Sequence, residues 1–190
     1  MFLRLTENIF ESAENCVNGI CSPSPIREPL NSRSASRTPT KAEIRHQFIY
    51  LIMTWSTSEI EYEGLPLLLR KPDHENIWRF KDKLTKLVSI EHHLDTVTSD
   101  GLPEKKYNSK LSDFDHYMCS LFDKSNDGII FLIETYSGKR IYYYYTSPTF
   151  NIEPLIETTK HKFKLTLEGW TQDDTGWGFL DEYPVKLFPQ

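Results

Sequence analysis

From residue 44 onward, apolar and polar positions fall into two rhythms. A period of two marks strands, and steps of three and four mark helices. Residues 48–55 are β-branched and aromatic, residues 58–62 alternate, and Gly64 interrupts before Leu65-Pro66-Leu67-Leu68-Leu69-Arg70. Two extended segments around one glycine predict an antiparallel pair. Pro66 stands at the beginning of its strand, where a missing N–H does least harm. Residues 87–94 alternate, with Val88, Ile90, His92 and Leu94 on one face and Ser89, Glu91, His93 and Asp95 on the other. That pattern predicts a half-buried strand. Asp100-Gly101-Leu102-Pro103 has the composition of a turn. Tyr107, Leu111, Phe114, Met118, Leu121 and Phe122 then recur at helical steps. They predict one helix over 107–122, closed by Asn126-Asp127-Gly128. Residues 129–135 and 140–146 flank Ser137-Gly138 as a hairpin. Asn151 caps a second helix with Ile152, Leu155, Ile156 and Thr159 on one side and Pro154 in its first turn. Phe163, Leu165 and Leu167 alternate as a last strand before Gly169-Trp170.

From residue 87 the order is β-α-β-β-α-β. Two crossovers flanking a hairpin predict an α+β fold of the ferredoxin-like plan, a four-stranded antiparallel sheet with both helices on one face. Residues 46–190 are expected to form a single domain. Within it, residues 46–72 are a hairpin extension that covers an edge or the open face, and residues 85–190 are the ferredoxin-like core. Residues 1–45 differ in composition. Residues 5–17 suit a short amphipathic helix, while residues 21–41 hold four prolines, several serines and only Ile26 and Leu30 as large apolar side chains. Such a segment buries too little surface to offset its ordering entropy, so a disordered or loosely structured tail is expected. Its Ser-Pro pairs and Thr38-Pro39 offer phosphoacceptors, but a solvated tail is the reading taken.

Charge narrows the function classes. The chain has 22 basic and 27 acidic residues, and residues 1–45 hold six and five of these, so the folded part carries a formal charge of −6. An acidic body without a basic stripe fits a phosphate backbone poorly, despite Arg79, Lys81, Lys83 and Lys86, so nucleic acid is not an expected partner. Aromatic residues at 13% and apolar residues at 38% exclude collagen, coiled coil and wholesale disorder. The apolar run 48–53 is far short of the roughly 20 residues of a membrane span. Cys16, Cys21 and Cys119 cannot all pair within the chain, and Cys16 and Cys21 lack the second pair of a four-ligand metal site. With no signal peptide pattern, reduced thiols in the cytoplasm are expected.

Candidate chemistry is sparse. In Glu91-His92-His93 the two histidines point to opposite faces and cannot share an ion, while Glu91 and His93 share a face and can form a carboxylate–imidazole pair. Asp174-Thr175-Gly176 has the letters of an aspartic-protease site, but its polar surroundings read as a turn, and Asp173-Asp174 lacks the alternation of a calcium loop. Tyr142, Tyr143, Tyr144 and Tyr145 place two rings toward the helices and two away. The outward pair forms an aromatic platform or packs beneath the hairpin or the C-terminal tryptophans. Trp170 and Trp177, in a glycine-punctuated end, either plug the core or supply a binding hot spot. No phosphate loop, catalytic triad or activated nucleophile is present, and no metal or cofactor is expected.

The stretch Tyr62-Glu63-Gly64-Leu65-Pro66-Leu67-Leu68-Leu69-Arg70, the turn Asp100-Gly101-Leu102-Pro103, Gly138-Lys139-Arg140 before the tyrosine strand and the terminal tryptophan loop resemble the uncharacterised bacterial family catalogued as domain of unknown function 695. Ile90-Glu91-His92-His93-Leu94 followed by a helix, together with Gly176-Trp177-Gly178, is similar to the regulator of ribonuclease E activity, B type. That second resemblance implies a ferredoxin-like order and action by binding an enzyme rather than by catalysis. The expectation is a non-enzymatic cytoplasmic protein-binding or regulatory module. It acts through an acidic aromatic surface formed by Tyr142, Tyr143, Tyr144, Tyr145, Trp170 and Trp177. The alternatives are a small metal-dependent hydrolase using Glu91 and His93, and an immunity-type inhibitor of a toxin or nuclease. Exposed strand edges also admit a homodimer.

Overall fold

The computed structural model describes residues 54–189. The tail over 1–45, with Cys16 and Cys21, and the apolar run 48–53 lie outside the described residues. The fold is α+β. Its strands are β1 (Trp55–Tyr62), β2 (Leu65–Pro72), β3 (Lys86–His93), β4 (Gly128–Tyr136), β5 (Lys139–Thr146) and β6 (Leu167–Asp173). They form one open antiparallel sheet in the order β1-β2-β4-β5-β3-β6. Between β3 and β4 run α1 (Lys105–Lys110) and α2 (Ser112–Cys119). α3 (Glu153–Phe163) joins β5 to β6, and α4 (Gly178–Asp181) follows. No helix among the described residues is long and apolar enough to cross a membrane.

Two tight turns fix the sheet's register. Glu63 and Gly64 have φ of 50° and 81°, and Ser137 and Gly138 have 47° and 82°. Two consecutive positive-φ residues give the turn whose twist matches that of the flanking strands. The first turn pairs Tyr62 with Leu65 and the second pairs Tyr136 with Lys139. β2 then pairs with β4 through Leu68 to Arg70. The β1–β2 hairpin therefore widens the sheet at its β4 side rather than lying over a face.

Both faces of the sheet are covered, by different material. On one, Leu111, Phe114 and Met118, with Ile152 and Ile156, pack on Val88, Ile90, Ile130, Ile133, Tyr142 and Tyr144. On the other, Trp177, Leu180, Val185, Leu187 and Phe188 from the C-terminal segment, with Ile77 and Leu84, pack on Leu87, Phe131, Leu132, Tyr143 and Tyr145. A bulge between Ile130 and Leu132 turns Phe131 and Leu132 toward the same, second face.

Two expected elements change. The helix over 107–122 is two shorter helices. They break at Leu111, whose N–H bonds the Asn108 carbonyl at 3.1 Å, and the Ser109 hydroxyl donates to the Lys105 carbonyl at 2.9 Å. Such back-bonding competes with the helical ladder. The second helix stops at Cys119, short of Phe122. The last strand begins at Leu167, not Phe163. Phe163 ends α3, and Lys164 closes that helix in the left-handed conformation at φ 56°. Gly169-Trp170 therefore lies within edge strand β6. Asn151 does serve α3, accepting the Glu153 N–H at 3.2 Å.

A charged network sits under α2. The Asp115 carboxylate, 1% exposed, accepts from Arg70 Nη1 at 2.7 Å, from Arg140 Nη1 at 3.0 Å and from the Tyr142 hydroxyl. Arg140 also donates to Thr135 Oγ1 at 3.1 Å and to Asn108 Oδ1 at 2.8 Å. Burial alone would raise the Asp115 carboxyl, but Arg140 and Arg70 together outweigh it and hold the carboxyl below its ordinary range.

Candidate functional site at the open end of the second face

Cross-strand partners in an antiparallel sheet share a face. One row across this sheet runs Glu168, Glu91, Ile141, Glu134, Leu69 and Ser58. The neighbouring row contains His93, Lys139 and Tyr136. Both rows lie on the second face, toward the end that the C-terminal segment leaves open.

There the expected Glu91–His93 pair forms, with His93 Nε2 at 2.7 Å from Glu91 Oε1. Lys139 Nζ approaches the same oxygen at 2.8 Å. Glu168, directly opposite Glu91 on β6, completes a group in which one donor atom from each of Glu91, His93 and Glu168 lies within 4.8 Å of the others. Among the described residues, this is the group able to hold a metal ion. His92, by contrast, points into the helical side. Its Nδ1 is 3.2 Å from the Thr166 carbonyl and its Nε2 3.0 Å from the Tyr107 hydroxyl. Burial lowers its pKa, so it is a satisfied core histidine.

Beside the charged row is a cavity of about 260 Å³, walled by Ile60, Leu67, Tyr136, Ile141 and Val185 and carrying Glu134 and Lys139. The Glu134 carboxyl accepts from the Tyr143 hydroxyl at 2.8 Å through Oε2 and from the Tyr183 hydroxyl through Oε1. Burial raises its pKa, and the two hydroxyl donors offset only part of that. Tyr62, 38% exposed, packs edge-on against Tyr136 at the rim with ring centroids 5.3 Å apart.

The expected aromatic surface needs correcting. Tyr142, Tyr143, Tyr144 and Tyr145 are all buried, as is Trp177. Tyr142 and Tyr144 lie under the helices. Tyr145 stacks on the Trp177 indole at 4.1 Å and 6°, and Tyr143 meets Phe179 at 5.0 Å. The Trp177 indole N–H also bonds the Leu84 carbonyl at 2.6 Å. A strand covered on both sides cannot present its rings to a partner. Of the six aromatic residues expected on a surface only Trp170 is accessible, at 47%, on edge strand β6. Asp174 opens a turn, as its polar context predicts, with the Trp177 N–H bonding its carbonyl at 3.1 Å, and its side chain also caps α4. It accepts the Gly178 and Phe179 N–H groups at 2.7 and 3.1 Å and the Tyr145 hydroxyl at 2.7 Å. Cys119 is half-buried, and burial pushes its thiol up to about 12, so it is an unreactive helix residue.

Sequence reasoning missed Glu168, Lys139 and Glu134 with Tyr183. Glu134 had a signal, as a lone carboxylate in the apolar run Ile129-Ile130-Phe131-Leu132-Ile133. Glu168 had none, because its approach to Glu91 depends on the register of two strands far apart in the chain. Compared with protein-family models, with curated proteins and with solved structures, the chain matches none.

Proposed function

We propose that the protein is a non-enzymatic cytoplasmic binding module that docks another protein through the acidic open end of its second sheet face, masking a basic site on that partner. The observation that carries this reading is the placement of Glu168 and Trp170 together on an edge strand. Glu168 has no side-chain partner among the described residues, and Trp170 is the most exposed of the large apolar side chains there. An unpaired carboxylate suits a partner's lysine or arginine, and Trp is among the residue types that carry most interface energy. The formal charge of −6 on residues 46–190 adds long-range attraction to a basic surface. Resemblance to the ribonuclease E regulator family, whose members act by binding an enzyme, points the same way, and an inhibitor of a toxin or nuclease is one form of it.

We assign the core to the ferredoxin-like plan. In support, the order β6-β3-β5-β4 places the first and third strands of the core at the centre with the last beside the first, and helices follow β3 and β5. A metal-dependent hydrolase is the second reading, favoured by the approach of Glu168 to Glu91 and His93.

The test compares the full-length protein with Glu168→Lys and Trp170→Ala for binding to any purified partner that wild type captures. Affinity falling more than about tenfold in each variant, with wild-type binding weakened by salt, supports docking here. Unchanged affinity in both variants contradicts it.

A further inference from the structure

We propose that Glu91, His93 and Glu168 form a three-ligand site for a divalent cation of the zinc class, with its outward coordination positions open to water or to an incoming side chain. The donor set is mixed, one imidazole and two carboxylates, which suits zinc and its borderline neighbours rather than magnesium or calcium. Glu91 and Glu168 face each other on β3 and β6, His93 is two residues along β3 on the same face, and the three donor atoms lie within 4.8 Å of one another. A tetrahedral zinc with ligand bonds of about 2.0–2.1 Å holds its donors roughly 3.3 Å apart, so rotation of exposed side chains closes the site without moving the strands.

The register gives an independent reason to expect a cation. Like charges directly opposite on antiparallel strands destabilise the pair, and Glu91 faces Glu168. Lys139 offsets Glu91 alone, and it sits with His93 on the single oxygen Oε1. Glu168 is left uncompensated. A bound dication would neutralise both carboxylates at once and take His93 Nε2 as its nitrogen ligand, displacing its contact with Glu91. Lys139 therefore competes with the ion. Because a partner's basic side chain would use these same carboxylates, the ion would also weaken the docking proposed above.

Calorimetric titration of chelator-treated full-length protein with zinc chloride, alone and without any partner, separates the two proposals. The expected result is one site that His93→Ala and Glu168→Gln each weaken by more than about tenfold, since even outer-shell partners are worth about 10–100-fold. Lys139→Ala should bind more tightly than wild type. Cobalt substituted for zinc should give visible absorbance that His93→Ala removes. No binding, or binding that His93→Ala and Glu168→Gln leave unchanged, overturns the site. Either result leaves the docking test to be decided by its own variants.

Discussion

Replacing Asp115 with alanine tests the interior most severely. Among the described residues, Asp115 is the only anion paired with Arg70 and Arg140, and its side chain is 1% exposed against 5% for Arg140 and 24% for Arg70. Were these ordinary surface pairs, their loss would cost about 0–1 kcal/mol. Here the substitution strands a buried guanidinium, leaving Arg140 with only the neutral oxygens of Thr135 and Asn108. Removing one partner of a buried pair costs about 3–5 kcal/mol. For a domain of this size that is a fall in Tm of roughly 10–20 °C. Tyr142→Phe removes a single hydrogen bond to the charged group and should cost about 1.5–3 kcal/mol. Urea denaturation at neutral pH reads both. The difference should also depend on pH in one direction. The folded Asp115 carboxyl titrates below its unfolded value of about 3.9. Its contribution is therefore complete above that value and is lost as pH falls through the folded pKa, so wild type and Asp115→Ala converge in acid. A loss below about 1 kcal/mol at neutral pH would refute the network as a buried structural element.

Glu134→Gln should act in the opposite sense. Burial raises the folded carboxyl above its unfolded value of about 4.3, so wild type loses stability as pH climbs between the two, and the glutamine variant does not. Denaturation at pH 4 and pH 7.5 should show the variant gaining on wild type at the higher pH, and an equal difference at both would contradict the assignment. Gly169→Val should cost about 1–3 kcal/mol. A Cβ there would stand 2.3 Å from Ile156 Cδ1, 2.9 Å from Ile152 Cδ1 and 3.2 Å from the Ser89 carbonyl oxygen. A neutral effect in thermal melts would mean that α3 does not press on β6.

What could be read from residues alone follows their physics. Glu63-Gly64 and Ser137-Gly138 are two-residue breaks between apolar runs, so both hairpins were legible, as was the alternation that makes β3. The opposed directions of His92 and His93 followed from strand periodicity. The end of α3 was hidden because Lys164, not glycine, takes the left-handed closing position, and Phe163, Leu165 and Leu167 mimic a strand. The cover of the second face was hidden for another reason. Val185, Leu187 and Phe188 belong to no long periodic element, yet they bury Tyr143 and Tyr145 together with Trp177. Four adjacent tyrosines read equally well as a surface or as a core until that cover is known. The bulge at Phe131 and the meeting of Glu91 with Glu168 are products of strand register, which no local pattern encodes.

The open end of the second face is best tested by photo-crosslinking from inside the cell. A photoreactive residue at position 170 is compared with one at exposed position 157 on α3, the helical side. Position 170 should yield adducts concentrated on one protein, mapped to a basic segment, and position 157 should not. Equal labelling from both positions, or adducts with that protein from position 157 alone, would contradict docking at this end.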